Sequence, residues 1–168
     1  TPASIGIGLA FLAGGWIVYD LLCRSPLGRR EPILAAVMLV LCAVAAYALT
    51  QLYSGRGAYI HFGAMLGTIM TANVFFVIMP GQREMVRARV EGRAPDPMHA
   101  ARGKQRSVHN TYFTLPVLFT MISNHYALFT NAKWNWLVLM AIALAGVFIR
   151  LFFTFRHRGV VKPSFWAI

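Results

Sequence analysis

Residues 58–80 read AYIHFGAMLGTIMTANVFFVIMP. The run carries no charge, and about 20 mainly apolar residues suffice to cross a hydrocarbon core about 30 Å thick. Lipid offers the backbone no hydrogen-bonding partners, so only helices and closed barrels can cross it. A barrel strand needs only about 10 residues of alternating polarity, and this run is too long and too continuous for one. It therefore predicts a transmembrane helix and sets the class of the chain around it. Residues 3–23, 33–53, 108–130 and 134–155 have the same character. We expect an all-α protein, a polytopic membrane helical bundle with five transmembrane helices in a single domain over residues 1–168.

Composition agrees. Of 168 residues 58% are hydrophobic and only 12% charged, well above the globular average in apolar content. A net charge of +11 raises the question of nucleic acid, but the basic residues cluster in the gaps between apolar runs. No nucleic-acid partner is expected; the expected surroundings are a lipid bilayer. Thirteen Lys and Arg lie in residues 24–32, in the long connection 81–107 and in the tail, which includes Arg158 and Lys162. Only Arg56 and Lys133 lie on the opposite side. Basic loops stay in the cytoplasm, so the N-terminus is expected outside and the C-terminus cytoplasmic.

The connection 81–107 is expected to be a cytoplasmic basic loop, with a short helix stopped by Gly92 and a Pro-Asp-Pro turn at residues 95–97. Cys23 and Cys42 form no C-x-x-C pair, so neither a zinc site, a redox dithiol nor covalent haem attachment is supported. The chain starts at Thr1-Pro2 without an initiator Met or a charged leader region. Residues 1–24 therefore read as a span rather than a signal peptide, and the chain reads as a piece of a longer protein.

Polar groups inside spans are costly and are functional candidates by default. Gly63, Gly67 and Thr71 recur every four residues, the small-residue pattern of close helix packing. With alternating helix directions, His61 and His125 fall at one depth near the outer surface. Two neutral imidazoles at matching depth suit axial ligation of a non-covalent haem b; the alternative is a pair of histidines hydrogen-bonded near the headgroups. Met65 and Met121, a turn away from them, read as gap fillers. At the inner ends a second group gathers: Asn73, Gln82, Arg83, Arg106, His109 and Asn110. Its guanidinium and amide groups suit a planar, heteroatom-rich anion, or else they anchor and cap helix ends. Arg150 is near enough to the inner boundary to snorkel, and Asp20 is expected to pair with it or with Arg24. Trp134, Trp136 and Trp166 suit an interfacial aromatic belt.

The segments SGRGAYIHFGAMLGTIMTANVFFVIMPGQREMV (54–86), GKQRSVHNTYFTLPVLFTMISNHY (103–126) and NWLVLMAIALAGVFIRLFF (135–153), with GWIVYDLLCRSPLG (15–28) before them, resemble the membrane domain of the bacterial membrane-bound, cytochrome c-linked urate oxidases. The likeness runs in the same order over nearly the whole chain. It implies a membrane oxidoreductase of the bacterial inner membrane that oxidises urate towards 5-hydroxyisourate and passes electrons to a c-type cytochrome instead of dioxygen. The motif positions that match are His61, Asn73, Gln82, Arg83, Arg106, His109, Asn110 and His125. On these we assign His109 and Asn73 to catalysis, Gln82, Arg83, Arg106 and Asn110 to substrate binding, and His61 and His125 to a haem. The additional spans and the cytochrome domain of that family are not in this sequence, so a fragment or one half of a split protein is expected. Two other classes compete: a transporter or channel for a small anion, and a non-catalytic haem-binding scaffold subunit.

Overall fold

The structure is a computed structural model and describes residues 2–157; Arg158, Lys162 and Trp166 lie outside the described residues. Among the described residues there are helices and turns and no strand, so the all-α expectation holds. Helix α1 spans Pro2–Arg24, and a 3-10 turn over Pro26–Arg29 leads to α2, Glu31–Leu52. Helix α3, Gly55–Asn73, passes through a widened turn at Val74–Ile78 into α4, Met79–Val90. Helix α5 is Pro97–Ile122; a 3-10 turn (Ser123–His125) and the single-turn α6 (Ala127–Thr130) connect it to α7, Asn135–His157.

Four of these stretches are long and apolar enough to cross a membrane: Pro2–Arg24, Glu31–Leu52, the continuous Gly55–Val90, and Asn135–Arg156. This suits a multi-pass membrane protein. The helix expected over 108–130 differs in its limits. It begins at Pro97, where Asp96 accepts a hydrogen bond from the Met98 amide at 2.8 Å and proline occupies the first helical position. It ends at Ile122, after Thr120 and Ser123 turn their hydroxyls back onto the carbonyls of Val117 and Thr120. Residues 97–110 of it carry Arg102, Lys104, Gln105, Arg106, His109 and Asn110, which dilute its apolar character.

The connection expected over 81–107 is accordingly helical for most of its length, and only residues 91–96 lie outside helices. Gly92 ends α4 with φ +68°, a left-handed conformation that glycine adopts without steric cost. Arg93 then folds back onto Glu84 at 2.7 Å and Glu91 at 2.6 Å. Its hydrogen bond holds the Glu91 carboxyl below the ordinary carboxylate range.

Helix α3 lies at the centre, against α1, α2 and α5. Tyr59, Phe62, Leu66 and Ile69, on its recurring i, i+3, i+4 positions, are buried. Its contact with α5 is very close at Gly63, where a Cβ would overlap the Thr120 hydroxyl. Gly67 meets nothing within 4 Å, so the small-residue pattern works at Gly63 and not along its whole length. Met65 packs on Gly15 of α1 as a gap filler. Gly146 of α7 sits against Leu115 and Pro116 of α5. Gln105 donates to the Gly28 carbonyl at 2.7 Å and ties α5 to the α1–α2 connection. Leu9, Val40, Val44 and Phe148 point outward, as residues facing lipid do.

The widened turn between α3 and α4 has a local cause. Pro80 lacks an N–H and its ring would strike the carbonyl four residues back; the backbone instead makes an i to i−5 bond, from the Met79 amide to Val74. We predict that Gly63→Ala lowers thermal stability in detergent by about 1–3 kcal/mol through overpacking. Gly67→Ala should be neutral or slightly stabilising, because it adds a better helix former in open space. Equal effects from the two variants, read as melting shifts, would contradict this α3–α5 contact.

Candidate functional site

A buried polar network joins the last turns of α1 and α3 to α5. Asn73, fully enclosed, donates through Nδ2 to the Tyr19 hydroxyl at 3.1 Å and to Asn110 Oδ1 at 2.9 Å. Asn110 in turn donates to the Met70 carbonyl at 3.0 Å. Tyr19 and His109 Nδ1 share a hydrogen bond of 2.8 Å. Arg106 is only 3% exposed; it donates to Asp20 Oδ1 at 2.8 Å, and its guanidinium lies 4.7 Å from the centre of the Tyr19 ring. Asp20 also receives Arg24 at 2.6 Å. One carboxylate thus faces two guanidinium groups, and the cluster keeps a net positive charge.

Two buried atoms of the network have no partner: Asn73 Oδ1, an acceptor, and Arg106 Nη1, a donor. A buried polar atom without a partner costs about 1–3 kcal/mol, more when charged. One unmet acceptor and one unmet charged donor, both bordering Tyr19, suit a ligand that carries an N–H and an anionic or carbonyl oxygen.

Four residues singled out in the sequence are therefore brought together: Asn73, Arg106, His109 and Asn110. Gln82 and Arg83 are not among them. They are exposed on α4, and Gln82 lies about 13 Å along the helix from Asn73 at about 1.5 Å per residue. The pairing of Asp20 is with Arg24 and Arg106, while Arg150 is exposed.

His61 and His125 are held separately. His61 Nδ1 bonds the Gly57 carbonyl at 2.8 Å, which leaves Nε2 as the bare nitrogen that a metal would require. That nitrogen abuts α1, where a Cβ on Gly8 would stand 2.9 Å from it. The ring is also stacked on Tyr53, with centroids 4.3 Å apart and planes at 15°. His125 lies in the exposed turn after α5, and no hydrogen bond or ring contact joins the two imidazoles. These residues do not fit a macrocycle clamped between two histidines. Among the described residues no cluster of three His, Cys, Asp or Glu is placed to hold a metal ion.

Sequence reasoning missed Tyr19 as a member of the site and saw Asp20 only as a structural ion pair. The available signal was a tyrosine and an aspartate, side by side, at the inner end of an otherwise apolar span.

Compared with known families, residues 1–168 match a model described as urate oxidase N-terminal. Neither the curated proteins nor the solved structures provide a match.

Removing one member of a buried ion pair leaves the other uncompensated and costs about 3–5 kcal/mol. We therefore predict that Asp20→Ala destabilises the bundle by that order, measured by denaturant titration in detergent. Arg24→Ala removes a partner that is mostly exposed and should cost less than about 1 kcal/mol.

Proposed function

The chain belongs to the urate oxidase N-terminal family, and we propose that it is the membrane module of an oxidoreductase that takes urate to 5-hydroxyisourate and delivers the electrons to a c-type cytochrome. The observation that carries the site assignment is the pair of unmet buried groups, Asn73 Oδ1 and Arg106 Nη1. Urate is a planar anion whose rim alternates ring N–H groups and carbonyl oxygens. Asn73 accepts one N–H, and Arg106 donates to a neighbouring oxygen or anionic nitrogen in a charge-assisted bond. Asn110 holds the Asn73 amide in orientation by accepting from its Nδ2.

Urate monoanion and water give 5-hydroxyisourate, one proton and two electrons. His109, half-buried and bonded to Tyr19, accepts the proton. The electrons leave singly, one to each of two cytochrome haems. Exposed Arg83, with Gln82 beside it on α4, lies outside the buried network and draws the anion towards it by long-range attraction rather than by contact.

The same reading places the protein in a bacterial inner membrane with its N-terminus outside. Thirteen basic residues on one side against two on the other support that orientation. A cysteine introduced at Ala94 should react with a membrane-impermeant maleimide only in inverted vesicles.

The direct test uses membranes containing the complete gene product and follows cytochrome c reduction on addition of urate. We expect urate-dependent reduction, and a loss of about 10- to 100-fold in kcat/KM for Asn73→Leu, equivalent to about 1.4–2.7 kcal/mol of lost hydrogen bonding. Uptake of urate into sealed vesicles without its oxidation would overturn the assignment in favour of a carrier.

A further inference from the structure

We propose that Trp16 is a further substrate-binding residue, whose indole N–H donates to the carbonyl oxygen on the five-membered ring of urate and so sets a preference for urate over xanthine. The inference rests on the urate reading above and adds a residue and a specificity to it.

The starting point is one more unmet atom. Among the described residues, the buried side-chain nitrogens and oxygens without a partner are Asn73 Oδ1, Arg106 Nη1 and Trp16 Nε1. An indole nitrogen can only donate, and enclosing it without an acceptor is a cost that packing does not require. A tryptophan acting as an interfacial anchor turns its N–H to water or headgroups. Trp16 instead lies eight residues before the end of α1 at Arg24, about 12 Å inside it at about 1.5 Å per residue, and its nitrogen is shut off from solvent. A phenylalanine would fill the same place and leave no donor to satisfy.

The neighbours of Trp16 put it beside the other two unmet atoms. Residues three and four apart share a helix face. Trp16 precedes Tyr19 by three and Asp20 by four, so at about 100° per residue its direction falls between theirs. Tyr19 holds Asn73 and Asp20 holds Arg106. The indole rests against Phe76, with ring centroids 5.3 Å apart, and Phe76 stands three residues past Asn73 in the widened turn. The third unmet atom is therefore carried by the junction of α1 and α3, one helical turn of about 5.4 Å from the Tyr19–Asp20 level.

Urate fills such a set of groups from both ends. Its monoanion carries the charge on the six-membered ring, where Arg106 pairs with it and Asn73 takes an adjacent N–H. A separation of one helical turn suits the length of the fused rings, so the remaining donor meets the carbonyl of the five-membered ring. Xanthine has the same six-membered ring but a C–H in place of that carbonyl. A site with a committed donor rejects such an analogue, because the donor stays unpaired when it binds. The oxygen concerned is not at C5, where the hydroxyl is added, so the bond contributes to binding in ground and transition state alike and is read in KM rather than kcat.

The test uses membranes containing the complete gene product, with cytochrome c as acceptor. Trp16→Phe keeps an aromatic ring against Phe76 and removes the N–H. We expect KM for urate to rise about 10-fold with kcat within about twofold of wild type. Xanthine should inhibit the wild type only at concentrations about 10-fold above the urate KM, and this gap should close in Trp16→Phe. Should Trp16→Phe accumulate poorly, 3-benzothienylalanine at position 16 exchanges only the N–H for sulfur, and the same shifts are expected from it. In wild-type protein labelled with nitrogen-15 at the indole, the Trp16 N–H resonance should move on addition of urate. An unchanged KM for urate in the variants, or an equal weakening of urate and xanthine, overturns the role of Trp16 and leaves the urate assignment standing. Wild-type membranes with no urate-dependent reduction remove both.

Discussion

The bundle is organised around a buried guanidinium. Arg106 is enclosed on α5, and a buried cation is tolerated only when it is paired and hydrogen-bonded. Asp20 of α1 provides the pairing, and the Tyr19 ring provides a second attractive surface. These contacts fix α1 against α5 at one level. Asn73 of α3 completes the junction through Tyr19 and Asn110. Three helices are thereby registered to one another by polar contacts in a setting where apolar side chains alone could slide past each other, lipid being as apolar as they are.

The same junction leaves atoms over. Arginine brings five N–H donors in a rigid fork, and Asp20 cannot reach all of them; Asn73 spends its amide nitrogen on two neighbours and keeps its oxygen free. The positive balance and the unfilled hydrogen-bonding capacity are the features on which the proposed anionic substrate rests.

Much of this was legible in the sequence. Apolar run length gives four of the five expected spans as long apolar helices, and Asn73, Arg106, His109 and Asn110, grouped at the ends of two spans, do meet around Tyr19. Depth, however, says nothing about rotation around a helix axis. His61 and Gly63 are two residues apart, hence about 200° apart around α3 at 3.6 residues per turn. Gly63 faces α5 and its Thr120, while His61 faces Gly8 of α1. A histidine pair chosen by depth alone therefore ends on different faces. Gln82 and Arg83 failed for a related reason: the helix continues past Pro80 and carries them out along α4. Tyr19 was invisible because its partners are 54 and 90 positions away, and a tyrosine near a span end reads as an interfacial anchor.

The unbroken helix over Gly55–Val90 has 36 residues and is about 54 Å long at about 1.5 Å per residue. A hydrocarbon slab about 30 Å thick cannot contain it, even with ordinary tilt. Some 20 Å must stand clear of the slab, braced by the early turns of α5. The far end of this helix, with Arg83, Arg87 and Arg89, is thereby carried as a stiff extension of the apolar segment that precedes it.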